Sequence, residues 1–98
     1  MLFHVSWDFI DSSEAGSRRS LAVFGAWQPP AGAEFKGFYS YAGGGGGVAI
    51  IEADSAATLA KTTAPWTPWL RFPATPILPI EEATAINHEA VAFRDSVS

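Results

Sequence analysis

Between Leu2 and Phe9 the bulky apolar residues Phe3, Val5, Trp7 and Phe9 alternate with His4, Ser6 and Asp8. A period of two sends successive side chains to opposite faces, so this pattern predicts a half-buried first strand with unlike faces. Asp11, with Glu14 three residues later, has the spacing of a capping box and predicts a helix start. Leu21, Phe24 and Trp27 recur at intervals of three and give that helix an apolar side, with Arg18, Arg19 and Ser20 largely elsewhere. Pro29-Pro30 ends it, because proline lacks the N–H and disfavours helical geometry in the residue before it.

The pattern then returns to period two. From Glu34 to Tyr41, Phe35, Tyr39 and Tyr41 share one parity while Lys36, Phe38 and Ser40 share the other, which predicts a second strand. The stretch VAIIEA, residues 48 to 53, is short, aliphatic and β-branched, and reads as a central strand buried on both faces. Asp54 is the expected N-cap of a short helix through Ala56, Leu59 and Ala60, which Pro65 ends at about Ala64. A fourth extended segment runs from about Trp69 to Ile77. Pro73 and Pro76 cannot donate to a ladder there, which predicts an edge position or a bulge.

Pro79 before Glu81 and Glu82 predicts a C-terminal helix over residues 79 to 94, with Ile80, Ala83, Ile86, Ala90 and Phe93 as its apolar stripe. Residues 95 to 98 are expected to fray. The order β-α-β-β-α-β plus a helix predicts an α+β, ferredoxin-like domain, with a four-stranded antiparallel sheet, helices on one face and an extra C-terminal helix. The other sheet face is left in need of a cover.

Gly43 to Gly47 fit this order as the hairpin between the second and third strands. A phosphate loop is excluded: five consecutive glycines do not make the dinucleotide pattern, no Gly-Lys pair follows, and the run leads into a strand instead of a helix N-terminus. A mobile tip is expected at Gly44 to Gly46, with Gly47 already in the strand.

Composition narrows the function. Ninety-eight residues support a single domain, residues 1 to 98, and 48% apolar with 16% charged residues place it among globular chains. A net charge of -4, with Arg18-Arg19 the only basic doublet, gives nothing to hold a phosphate backbone, so no nucleic-acid partner is expected. The chain has no cysteine, which removes disulfides, thiol catalysis and thiolate metal sites. The N-terminus lacks the features of a signal peptide, and no apolar stretch approaches membrane-spanning length, so a soluble, cytoplasmic protein without membrane association is expected. Four tryptophans and 13% aromatic residues exceed what so small a core readily hides, which points to a homodimer.

The segments MLFHVSWDF, AWQPPAG, GVAIIEAD and PWTPWLRFPATPIL together resemble an uncharacterised bacterial family catalogued as a domain of unknown function and related to dimeric α+β barrel proteins. The polyglycine run and the C-terminal helix are longer here than in the family pattern. The resemblance implies a ferredoxin-like fold of the dimeric α+β barrel type, a homodimer and no assigned activity.

Candidate chemistry gathers on the even-numbered face of the first strand. If Ala49, Ile51 and Ala53 lie under the helices, Glu52 joins His4, Ser6 and Asp8 on the other face, with Arg71 and Tyr39 or Ser40 nearby. His4 and Glu52 would serve as a base and its orienter, and Ser6, Tyr39, Trp69 and Arg71 as ligand contacts. The plainer reading pairs Glu52 with Arg71 at a dimer interface. Trp7 and Trp27 read as core, whereas Trp66 and Trp69 read as the rim of a cleft or a partner surface. His88 reads as a solvated helix residue; with two histidines and no ligand spacing, neither a metal nor any other cofactor is expected. Two functions remain open. One is a homodimer binding a small apolar or aromatic ligand between sheet and partner. The other, implied by the resemblance, is a cofactor-independent monooxygenase or isomerase using His4 and Glu52.

Overall fold

A computed structural model describes residues 1–97. The strands are β1 (Leu2–Phe9), β2 (Ala33–Ser40), β3 (Gly46–Ala53), β4 (Leu70–Arg71) and β5 (Ala74–Pro76); the helices are α1 (Glu14–Ala26), α2 (Ala56–Thr63) and α3 (Ile80–Ser96). All strand pairings are antiparallel, in the order β2-β3-β1-β4, with β5 also on β1. The architecture is α+β and roughly ferredoxin-like, with a C-terminal helix. The expected fourth strand is split into β4 and β5 because Phe72-Pro73 interrupts the ladder, although the Pro73 carbonyl still accepts from the Ser6 N–H at 3.1 Å.

The core is the odd face of β1 against β3: Phe3, Val5, Ala49, Ile51 and Ala53, closed by Leu59 of α2. Cross-strand partners Phe3↔Ile51 and Val5↔Ala49 lie on this side, so the register places Glu52 and His4 on the other. The expectation that β3 is buried on both faces is corrected. Val48, Ile50 and Glu52 are only half-buried, because none of the described elements covers that face.

A bulge corrects the reading of β2. Phe35 pairs with Ile51 and Gly37 with Ile50, so Lys36 is an extra residue and the parity switches. Phe35 and Phe38 therefore share the helix side, and Tyr39, opposite Val48, turns to the open face. The hairpin is shorter than the glycine run. Gly44 and Gly45, at φ +82 and +86, make the turn, while Gly46 and Gly47 are buried in β3. A Cβ on Gly47 would stand 2.3 Å from the Trp7 ring and 2.2 Å from the Tyr39 carbonyl oxygen, so only hydrogen lets the indole lie there.

Three helix boundaries also differ from expectation. Ser13, not Asp11, caps α1: its hydroxyl accepts from the Gly16 N–H at 3.1 Å, while Asp11 accepts from the Ser13 N–H at 2.9 Å. Ser55, not Asp54, caps α2 by accepting from the Thr58 N–H, and Asp54 accepts from the Thr58 hydroxyl. In both cases the acid sits one or two residues too early and fixes the turn before the cap. α3 runs on through Asp95 and Ser96, where fraying is expected from sequence; Ser98 lies outside the described residues.

Candidate ligand cavity and the opposite sheet face

α1 rests on the short 3-10 turn Ala64–Trp66 more than on the sheet, and this opens a cavity of about 510 Å³ between helix and sheet. Its floor is low because β3 offers only Gly46 and Ala49 beneath it, beside Val5. Trp7, Phe35 and Phe38 wall the sheet side; Phe24, Trp27 and Trp66 wall the helix side. The rings form a continuous chain across the two layers. Trp7 meets Phe38 edge-on at 5.4 Å, Phe38 meets Phe35 at 5.0 Å, Phe35 meets Trp27 at 5.9 Å, and Trp27 meets Trp66 at 5.0 Å. These spacings and tilts are those at which aromatic quadrupoles attract, so the wall holds its own shape.

The lining carries no ionisable side chain among the described residues. Its polar side-chain groups are the hydroxyls of Ser20, Ser40 and Thr62 and the indole N–H groups of Trp7, Trp27 and Trp66. The Thr62 hydroxyl donates to the Thr58 carbonyl at 2.8 Å, and the Trp66 indole N–H donates to the Ser20 carbonyl at 3.2 Å. Both donors are therefore committed to the protein. Leu21 and Phe24, 70% and 48% exposed, stand at the cavity with their apolar surface unsatisfied.

The residues singled out by sequence sit elsewhere. His4, Ser6, Tyr39, Glu52 and Arg71 are all on the open face of the sheet, as cross-strand partners or diagonal neighbours. His4 lies opposite Ile50, and Glu52 opposite Leu2, so the two are offset by two positions along the ladder. The Glu52 carboxylate accepts from the Met1 ammonium at 2.6 Å, not from His4. Arg71 is the partner of Asp8 in the register, and no ion pair joins Arg71 to Glu52 among the described residues. Trp69 is half-buried before β4, where its carbonyl accepts from the N–H groups of Ile10 and Asp11, and it does not line the cavity. Among the described residues, no cluster of three or more His, Asp and Glu side chains is placed to hold a metal.

The tryptophan readings are refined. Trp66, expected at the rim of a cleft or on a partner surface, does wall the cavity but from the core, at 7% exposed, whereas Trp7 and Trp27, expected in the core, are only half-buried against the cavity. Aromatic residues that sequence reading assigned to packing thus line a large concave surface. A signal was available: a central strand built of Gly46, Gly47, Ala49 and Ala53 beneath a helix bearing Leu21, Phe24 and Trp27 lacks the volume to fill the space between them.

The profile of a domain of unknown function, DUF3303, matches residues 1–91. The chain belongs to the DUF3303 family. The matched stretch includes the whole sheet, every residue lining the cavity and α3 as far as Val91. No curated protein matches this DUF3303 chain. Among its described residues, no helix is long and apolar enough to cross a membrane.

Proposed function

We propose that the protein binds a small, uncharged aromatic molecule in the cavity between α1 and the sheet. The carrying observation is a volume of about 510 Å³, within the range of small-molecule pockets, walled by aromatic rings and free of ionisable side chains among the described residues. An ionised ligand would lose its hydration there without gaining a counter-charge, so a neutral ring system with at most a hydroxyl or carbonyl group fits the chemistry. This moves the ligand from the sheet–partner cleft expected from sequence to the helix side of a single chain.

Native mass spectrometry of protein purified from its own host, together with tryptophan fluorescence during titration with 2-naphthol and 2-naphthoate, tests this reading. Binding of the neutral naphthol, with quenching of the cavity tryptophans and little response to the carboxylate, is expected. Equal binding of both, or no binding of any neutral aromatic compound, overturns it.

The monooxygenase or isomerase reading with His4 and Glu52 requires a second copy to close the open face over them. It is separable from ligand binding, because His4→Ala removes such activity and leaves the helix-side cavity untouched.

A further inference from the structure

α3 is a seventeen-residue helix with no buried residue, and among the described elements it packs against none to more than a marginal extent. In proteins most helical stability comes from packing an apolar face against other elements, not from the propensity of the helix alone. Ile80, Ile86 and Phe93 are 74%, 51% and 69% exposed, and with Ala83 and Ala90 they follow one side of the helix. Pro79, in extended geometry at φ -55 and ψ 146, leads straight from β5 into this helix.

The second bare surface is the open sheet face, with Leu2, Val48, Ile50 and Tyr39 forming its apolar part. A seventeen-residue helix is about 26 Å long and an eight-residue strand about 26 Å, so the stripe matches the face in length.

The dimensions of the whole chain show how much surface is out of place. Its radius of gyration is 17.7 Å, against about 13 Å for a packed domain of this length. It exposes 6682 Å², where a folded chain of 10.4 kDa exposes about 5,400 Å². The excess, roughly 1,300 Å², exceeds the roughly 800 Å² per partner of a standard stable interface.

We propose that the occupant of each open sheet face is α3 of a second copy of this chain, exchanged reciprocally about a two-fold axis. One chain carries both halves of the contact, the condition for a closed symmetric dimer. In it, Ile86 and Phe93 of one copy cover Val48 and Ile50 of the other. This interface lies across the sheet from the ligand cavity and does not depend on it.

Sedimentation at micromolar concentration reads the first consequence: the wild-type chain runs at twice 10.4 kDa. Phe93→Glu with Ile86→Glu, and separately Ile50→Lys, each convert it to a monomer while the β-sheet signal in circular dichroism is kept. Because the chain has no cysteine, the geometry is also directly readable. An Ile86→Cys chain and a tagged Ile50→Cys chain, mixed and treated with a short bis-maleimide, give the mixed product in preference to either homogeneous one. A wild-type monomer overturns the proposal. A dimer indifferent to all three substitutions, or an Ile86→Cys chain that cross-links mainly to a second copy of itself, overturns the docking of helix on sheet.

Discussion

Ile50 and Ile51 are neighbours in β3, yet they face opposite worlds. Ile51 is 1% exposed under the helices, whereas Ile50 is half-buried on a face that the described elements leave bare. The helix side is a complete layer with a hollow in it; the open side is a half-built layer. The contrast separates two kinds of unsatisfied apolar surface. A walled concavity with no charge suits a small molecule, and a flat face of strand length suits a helix.

Substitutions at these paired positions test the contrast most strongly. Ile51→Ala is expected to cost about 2 to 5 kcal/mol in denaturant unfolding, the range for truncating a buried aliphatic side chain to alanine. Ile50→Ala should cost less than about 1 kcal/mol within the single chain, and a larger loss that grows on dilution would report the second copy instead. Equal losses at the two positions, at high and low concentration alike, would erase the distinction between the faces. Gly47→Ala should cost about 2 kcal/mol, since its Cβ collides with both the Trp7 ring and the Tyr39 carbonyl.

Leu21→Ala probes the hollow. The residue is mostly exposed, so stability should change by under about 0.5 kcal/mol while naphthol affinity falls several-fold. On the open side, Glu52→Gln removes an ion pair whose two partners are 67% and 44% exposed, and the expected loss is about 0 to 1 kcal/mol.

The smallest effect is at the start of α1. Hydrogen bonding to Ser13, through its side chain and then its backbone N–H, holds the Asp11 carboxyl below the usual carboxylate range. A depressed folded-state pKa means that the contribution is complete above the ordinary Asp range and is lost as pH falls through the lowered value. Unfolding midpoints followed through this acid range should show a shallow loss that Asp11→Asn abolishes. An unchanged profile in Asp11→Asn would mean that the Asp11 charge does not stabilise this helix start.

Much of the fold was legible from period alone. Alternation in residues 2 to 9, the proline stops and the glycine turn gave the element order, because each acts over a few residues. The bulge at Lys36 was not legible, since it depends on how β2 meets β3; it brought Phe38 to the helix side and Tyr39 to the other. The site was harder still. The polar set of His4, Glu52 and Arg71 was placed on the right face, but its members take separate neighbours, Glu52 turning to the Met1 ammonium. The cavity was missed because Phe24, Trp27 and Phe35 carry the same hydrophobic signature whether they fill a core or line a space.

By itself the sequence determined the order of elements along the chain, the helix stripes and the need of the even-numbered face of β1 for a cover, because these follow from local geometry and side-chain period. Only the tertiary structure decided that α1 stands off the sheet to leave a hollow and that α3 finds no seat among the described elements of its own chain. Both depend on how much volume lies between distant elements, and volume is a property of the packed layers, not of any one segment.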